Sequence, residues 1–212
     1  MAKLTLARSE RMALADELAV VGPDAPTLCA GWQAVDLAAH LVIRERRLDA
    51  APGIMLKPLS GWTRRVQQGV AAQPYEDLVA LVRSGPPRWS PLGWPGVDEA
   101  ANALEMFLHH EDVRRAQRAW APRSLTPAHE QELWRRLGGI ARLATRRAPG
   151  GIVLRQPNGE ALTVRRGEPI VTVTGPPAEL LLFASGRQRH ARVELAGDPS
   201  AVARLWEAPF GL

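Results

Sequence analysis

Residues 104–117 read LEMFLHHEDVRRAQ, and the interpretation of the whole chain starts from this stretch. Its residues favour a helix, and on an α-helix side chains three and four positions apart share one face. Glu105 and His109 are four positions apart, and Asp112 follows His109 by three. One stripe of the predicted helix therefore presents a carboxylate, an imidazole and a second carboxylate.

The neighbours of this stripe allow two interpretations. His110 points about 100° away from it, because each residue turns a helix by that angle. Leu104 and Leu108 lie beside the stripe, which places its polar groups against the apolar core, where they need partners. A divalent cation would satisfy them together. The alternative is a solvated helix face held by i,i+4 pairs such as Glu111 and Arg115.

A second segment, residues 32–47, reads WQAVDLAAHLVIRERR and carries a single histidine inside an apolar run. The positions of a core-facing helical stripe are occupied by Leu37, His40, Leu41 and Arg44. Such a histidine either bonds to a backbone carbonyl in the core or meets the first stripe. In the second case His40, Glu105 and His109 would give three ligands with open positions left over, as in catalytic zinc sites.

These motifs resemble a known family. The pattern W-x3-D-L-x2-H is formed by Trp32, Asp36, Leu37 and His40, and the pattern N-x2-E-x3-H-x2-D by Asn102, Glu105, His109 and Asp112. Both look like the metal-binding domain of mycothiol-dependent maleylpyruvate isomerases, which belongs to the wider DinB/YfiT-like four-helix superfamily. The stretches PTLCAGW, HLVIRERR and EMFLHHEDVRRAQ resemble most an actinobacterial branch known mainly as metal-binding proteins.

The resemblance implies a site and a chemistry. The family's metal ligands carry over onto His40, Glu105 and His109, and zinc is the expected metal. Asp112 is expected to orient a ligand imidazole rather than to serve as a fourth ligand, and His110 is an alternative ligand because it directly follows His109. The resemblance also implies a low-molecular-weight thiol such as mycothiol, which the metal activates for transfer or for addition to an electrophilic substrate.

Three further residues are candidates for binding the substrate or the thiol. Arg44 lies one turn beyond His40, Arg187 follows the segment 175–186, and both offer a guanidinium to an anionic group. Trp94 lies in a loop rich in proline and glycine, where it either roofs a pocket or covers the edge of the core. We expect a thiol-dependent transferase or isomerase. The alternatives are a metal- or thiol-binding protein without turnover and a metal-dependent hydrolase.

The composition limits the class of protein. The chain has 212 residues, 46% of them hydrophobic and 23% charged, which is enough for one sizeable core or two small ones. No apolar run approaches the ~20 residues that span a bilayer, and the N-terminal sequence breaks into charges too early for a signal peptide. The single cysteine, Cys29, fits a reducing cytoplasm. We expect it to be a packing residue, because no histidine or cation is close to it in sequence.

The net charge of +5 does not indicate a nucleic-acid partner. Arginine pairs are spread evenly along the chain, and no platform of stacking aromatic residues or recognised nucleic-acid motif accompanies them. The expected partners are a small-molecule thiol and an electrophilic substrate, with neither nucleic acid nor membrane. The sequence carries no signal for an oligomeric state.

The hydrophobic period changes from helical to alternating near Gly150. Helices are predicted over residues 4–21, 32–47, 56–72, 75–83, 98–120 and 128–147. Beyond them the sequence predicts a hairpin that turns at Asn158-Gly159, strands over 170–174 and 191–195, and helices over 176–185 and 199–206.

The predicted class is therefore α+β, with residues 1–148 forming the metal-binding helical domain and residues 149–212 a small α+β domain. The family resemblance implies that the first is a DinB-like up-down four-helix bundle. It also implies that the second, with GPPAELLLFASGR at 175–187, is similar to sterol-carrier-protein folds.

Overall fold

A computed structural model describes residues 4–94 and 96–211 of the chain. Helices make up the N-terminal part and a four-stranded sheet with helices the C-terminal part, so the predicted α+β class is confirmed. The contacts divide the chain into two compact units, one ending at Ala121 and the other beginning at Pro122.

The first unit is helical. Its helices are α1 (Leu6–Val21), α2 (Ala34–Arg46), α3 (Pro52–Met55), α4 (Ser60–Ala71), α5 (Tyr75–Ser84) and α6 (Val97–Arg114). Helix α1 packs along α5 and α6, whereas α2 packs on α4 and α5. Leucines from the apolar stripes of α1, α2 and α5 are fully buried in the shared core, namely Leu14, Leu18, Leu37, Leu41 and Leu78.

Helix α2 begins with a capping box that belongs to the first sequence motif. The carboxylate of Asp36 accepts a hydrogen bond from the backbone N–H of Gln33 at 3.0 Å, and the side chain of Gln33 caps the third residue of the helix in return. This exchange satisfies N–H groups that the first helical turn leaves free. Asp36 therefore has a structural role, which is to start the helix that carries His40.

Helix α6 begins after Gly96, whose φ of +78° lies in the left-handed region. Asp98 and Glu99 occupy its first turn, where carboxylates interact favourably with the helix dipole. The helix was predicted to continue to residue 120 but ends at Arg114. At that end the side-chain amide of Gln117 donates to the carbonyl of Val113 at 2.8 Å. This hydrogen bond replaces the one that a backbone N–H of a further helical turn would donate to the same carbonyl.

A buried ion pair joins three helices of the first unit. Arg11 of α1 donates to both carboxylate oxygens of Glu45 of α2, at 2.9 and 2.7 Å, and to Asp98 of α6 at 3.0 Å. Arg11 and Glu45 are almost completely buried. A bidentate guanidinium–carboxylate pair has a fixed geometry, so this contact restrains how α2 lies relative to α1.

The second unit contains α7 (Pro127–Ala144), α8 (Pro177–Ala184), α9 (Pro199–Trp206) and four strands. The strands are β1 (Gly151–Arg155), β2 (Ala161–Arg165), β3 (Ile170–Thr174) and β4 (Glu194–Ala196), in the sheet order β2-β1-β3-β4. Strands β1 and β3 are parallel, and the two outer pairs are antiparallel. The predicted hairpin is present as β1 and β2, and in its turn Gly159 has a φ of +92°.

Helix α7 belongs to the second unit, whereas it was predicted to belong to the helical domain. The sequence placed it in the helical domain, with the boundary at 148/149. In the structure α7 packs against α8 and β2, so it belongs with the sheet and the division falls at Ala121/Pro122. Helical periodicity shows which face of a helix is apolar but not which element covers that face.

Candidate metal centre

His40 of α2 and two residues of α6 meet at one point in the first unit. A single carboxylate oxygen of Glu105, Oε1, lies 3.5 Å from Nε2 of His40 and 3.3 Å from Nε2 of His109. The two imidazole rings stand nearly edge to face, with 5.4 Å between their centroids. The structure thus brings together the three residues that the sequence predicted as ligands.

The cluster is largely withdrawn from solvent. His40 is 7% exposed and His109 is 9% exposed, whereas the side chain of Glu105 keeps 29% of its surface. Polar groups at such depth require partners. Among the three side chains, that of Glu105 keeps the largest exposed fraction.

The spacing of the donor atoms fits a small divalent cation. Nitrogen and oxygen ligands about 2.1 Å from a tetrahedral zinc ion lie about 3.3–3.4 Å from one another. The separations of 3.3 and 3.5 Å from Glu105 Oε1 to the two nitrogens agree with that value. Two imidazoles and one carboxylate are also a ligand set of catalytic zinc sites. The residues present therefore fit the predicted metal.

Asp112 lies beside one of the imidazoles. Its Oδ2 lies 3.1 Å from Nδ1 of His109, and the carboxylate is completely buried. When Nδ1 carries the proton and donates it to Asp112, the lone pair of Nε2 faces Glu105 and His40. A carboxylate in this position fixes the tautomer and ring orientation of a metal-binding histidine.

The ionisable groups of the cluster perturb one another. Burial alone would raise the pKa of Glu105, but hydrogen bonds with His109 and His40 outweigh it and hold this pKa well below its ordinary value. Burial would lower the pKa of His109, but Asp112, Cys29 and Glu105 outweigh it and raise this pKa well above its ordinary value. Burial lowers the pKa of His40. Because a metal binds the lone pair of a ring nitrogen, a cation here would compete with a proton for Nε2 of His109.

Arg44 lies against Glu105. Its Nε is 3.4 Å from Oε1 of Glu105, its Nη2 donates to the carbonyl of Ala101 at 3.1 Å, and its Nη1 donates to Oδ1 of Asn102. Asn102 in turn donates to Asp98 at 2.6 Å. The structure thus places Arg44, which the sequence predicted as a residue that binds substrate or thiol, in contact with Glu105.

His110 faces a different helix. Its Nδ1 lies 2.9 Å from Oε2 of Glu10 in α1, and both side chains are buried. His109 and His110 are adjacent in sequence, so they leave α6 in directions that differ by about 100°. The residue that faces Glu105 and His40 is His109.

Cys29 lies beside the centre, a placement that the sequence interpretation missed. Its Sγ is 3.3 Å from Oδ2 of Asp112 and 3.9 Å from Nδ1 of His109. The expectation of a packing role relied on the absence of a nearby histidine in sequence, but His109 is 80 positions away. The one available signal was that Cys29 falls within the PTLCAGW stretch just before Trp32.

A cleft of about 440 Å³ opens beside His40 in the first unit. The ring of Trp32 lies on one side of it, 5.1 Å from the imidazole of His40. Polar side chains of α4 line the other side, namely Ser60, Thr63, Arg64, Gln67 and Gln68. The sequence pattern did not assign these residues to a site, because polar residues on an amphipathic helix are ordinarily solvated.

The two other predicted substrate-binding residues lie in different surroundings. Trp94 is half-exposed in the loop before α6, and the aromatic ring that contacts His40 belongs to Trp32 instead. Arg187 is in the second unit, where its guanidinium donates to the carbonyl of Ser185 at 2.7 Å. Among the described residues, no helix combines the length and the apolar character that crossing a membrane requires.

Comparison with known proteins gives two findings. Residues 138–204 match the family model described as the MDMPI C-terminal domain. Two solved structures share the fold over 90% of this chain and 90% of their own: the mycothiol-dependent maleylpyruvate isomerase (TM-score 0.57, 16% identity) and a histidine-to-alanine mutant with the same description (TM-score 0.61, 15% identity). No curated protein matches the sequence. The likeness extends from the matched C-terminal domain to the fold of the chain, which confirms the predicted resemblance to the mycothiol-dependent maleylpyruvate isomerase-like superfamily.

Proposed function

We propose that the chain binds a divalent metal, with zinc expected, through His40, Glu105 and His109, and that this centre activates a low-molecular-weight thiol such as mycothiol. The reaction class is a thiol-dependent transfer or isomerisation of an electrophilic small molecule. The observation that carries the proposal is the position of one Glu105 oxygen, 3.3 and 3.5 Å from the two imidazole nitrogens.

The charge of the centre favours an anionic ligand. Two neutral imidazoles and one carboxylate leave a divalent ion with a residual charge of about +1, and zinc accepts sulfur readily. A metal held there stabilises the thiolate form of a bound thiol and so supplies a nucleophile at neutral pH. Arg44 adds a fixed positive charge 3.4 Å from Glu105.

The protein's own groups hold this arrangement ready. Asp112 is placed to accept a hydrogen bond from Nδ1 of His109 while Nε2 binds the metal, and Arg44 lies 3.4 Å from the oxygen of Glu105 that faces both histidines. Trp32 packs against the ring of His40. Metal-binding side chains that are already oriented lose less conformational freedom when the metal binds.

The cleft beside His40 suits a polar thiol. Its volume of about 440 Å³ lies in the range of small-molecule sites. Gln67 donates to the carbonyl of Asp36 and Thr63 to that of Ala50, so these two side chains are fixed. Arg64 and Gln68 are exposed at the cleft and offer donors to hydroxyl, amide or carboxylate groups. These donors would form hydrogen bonds with the sugar groups of a thiol such as mycothiol.

The comparisons support the choice of thiol. The structurally similar proteins are described as mycothiol-dependent isomerases. At 15% and 16% identity the likeness concerns the fold. The thiol and the reaction therefore rest on the geometry of the centre and on the experiment below.

The experiment uses cobalt-substituted protein that carries Cys29→Ser, so that all sulfur near the metal comes from the added thiol. Addition of mycothiol should produce a sulfur-to-cobalt charge-transfer band and release a proton. The same titration of the cobalt-treated double variant Cys29→Ser/His40→Ala is the control and should give no band. If cobalt is bound but no band forms at saturating thiol, the metal does not bind the thiol.

An activity assay separates the enzyme from its alternatives. Thiol-dependent consumption of an electrophile such as maleylpyruvate, lost in Glu105→Gln, is the result expected of a transferase or isomerase. Thiol binding without turnover would identify a binding protein. Hydrolysis of an ester or amide at the same rate with and without thiol would favour the hydrolase.

A further inference from the structure

His109 has a carboxylate at each ring nitrogen. Glu105 Oε1 lies 3.3 Å from Nε2, and Asp112 Oδ2 lies 3.1 Å from Nδ1. A neutral imidazole carries one N–H and one lone pair. Either tautomer of His109 therefore finds a carboxylate acceptor for its N–H, and the ring need not move to exchange one for the other.

The Nδ1 side of this ring holds a second set of donors. Cys29 Sγ is 3.9 Å from Nδ1 and 3.3 Å from Oδ2 of Asp112. Two hydrogen bonds fix the loop that carries Cys29. The backbone N–H of Leu28 donates to the carbonyl of Asp112 at 3.0 Å, and the hydroxyl of Thr27 donates to the carbonyl of Trp32 at 2.8 Å.

The spacing of this second set also fits a tetrahedral ion. For sulfur about 2.3 Å and nitrogen and oxygen about 2.1 Å from the ion, the expected separations are about 3.6 Å for S···N, 3.6 Å for S···O and 3.4 Å for N···O. The separations in the structure are 3.9, 3.3 and 3.1 Å. Each agrees to about 0.3 Å, and all three donors lie within 4.8 Å of one another.

We propose that Cys29, His109 and Asp112 form a second metal position that takes a thiophilic cation. A thiolate among the ligands selects soft ions, whereas the first position offers only nitrogen and oxygen. The second position shares His109 with the proposed function but needs neither His40 nor Glu105 as a ligand.

The two positions exclude each other. A cation on Nδ1 leaves the ring proton on Nε2, where it is donated to Oε1 of Glu105 at 3.3 Å. His109 then has no lone pair for the first position. A thiophilic ion at Cys29 thus withdraws a ligand from the centre formed with His40 and Glu105, and so inhibits any chemistry that occurs there.

The test is a titration with cadmium of metal-free, reduced protein in buffer without added thiol. The unmodified chain should show a sulfur-to-cadmium charge-transfer band that saturates near one equivalent. His40→Ala should keep the band, because it removes a ligand of the first position only. Cys29→Ser should abolish the band and weaken cadmium binding by more than the ~10–100-fold typical of losing an outer hydrogen-bond partner.

Mutual exclusion has its own readout. Cadmium added to cobalt-loaded protein should release cobalt and remove its visible absorption, but should do so much less readily in Cys29→Ser. If the sulfur-to-cadmium band forms while cobalt stays bound, the two positions do not exclude each other. Circular dichroism confirms that each variant is folded before it is compared.

Two results would overturn the second position. If the unmodified chain shows no sulfur band with saturating cadmium, Cys29 only donates a hydrogen bond to Asp112. If the band disappears in folded His40→Ala, Cys29 joins the first centre instead. If the chain binds no zinc but shows the sulfur-to-cadmium band, only the proposed function is refuted. If the chain binds zinc but shows no such band, only the second position is refuted.

Discussion

At the scale of single residues, the candidate metal centre depends on one oxygen atom. Oε1 of Glu105 lies within 3.5 Å of Nε2 of His40, Nε2 of His109 and Nε of Arg44. Helical spacing predicted that the first three residues could meet, because two polar stripes on packed helices converge. It could not predict Cys29, because the thiol meets its neighbours only through the tertiary fold.

Asp112→Asn should lower the zinc affinity by about tenfold, at the weaker end of the ~10–100-fold range for such partners. The amide oxygen can still accept from Nδ1 of His109, but the negative charge that strengthens the bond is lost. Competition with a chelating indicator measures the change. Asp49→Asn is the matched control, since Asp49 forms an exposed pair with Arg47. Equal affinities for both variants would contradict the role of Asp112.

At the scale of helices and strands, hydrophobic periodicity predicted most boundaries to within a few residues. The capping box that starts α2, formed by Gln33 and Asp36, is seen only in the structure. The end of α6 was not predictable, because it depends on a side-chain amide of Gln117 that bonds to the preceding turn. Strand β4 begins three residues later than predicted, since its extent is set by pairing with β3.

The buried ion pair between α1 and α2 should stabilise the first unit more than an exposed ion pair does. Glu45→Ala leaves the guanidinium of Arg11 buried without its bidentate partner, which should cost about 3–5 kcal/mol of unfolding free energy. Asp16→Ala, which removes the exposed partner of Arg83, should cost no more than about 1 kcal/mol. Urea unfolding followed by circular dichroism compares them. Similar losses of unfolding free energy in both variants would show that the buried pair stabilises the fold no more than the exposed pair does.

Two adjacent glycines of α7 should respond differently to alanine. Gly139 faces open space, so Gly139→Ala should stabilise the second unit by about 0.5–1 kcal/mol through helix propensity. A Cβ on Gly138 would lie 3.0 Å from Cδ2 of Leu162, so Gly138→Ala should gain less or destabilise. Thermal unfolding of the two variants measures the difference. The reverse order would mean that α7 does not pack on β2 as described.

At the scale of the whole molecule, the fold class was predictable from the change of hydrophobic period. The assignment of α7 was not, because a helix can cover either a bundle or a sheet with the same apolar stripe. The candidate metal centre and the second proposed position draw all their residues from the range 29–112, which lies inside the first unit.

A fragment of residues 1–121 should therefore bind zinc on its own, whereas a fragment of residues 122–212 should not. The affinity of the first fragment should stay within about tenfold of that of the intact chain, because no ligand is lost. Equilibrium dialysis with metal analysis measures both. A folded first fragment that binds no zinc would mean that the second unit contributes to the site.

The central claim is that His40, Glu105 and His109 hold a divalent metal. Its most direct test is the metal content of the 212-residue chain, purified without an affinity tag, beside His40→Gln, Glu105→Gln, His109→Gln and His110→Gln. We predict about one equivalent of metal in the unmodified chain and in His110→Gln, and a loss of most of it in the other three. A metal-free unmodified chain, or metal retained in His109→Gln and lost in His110→Gln, would contradict the account.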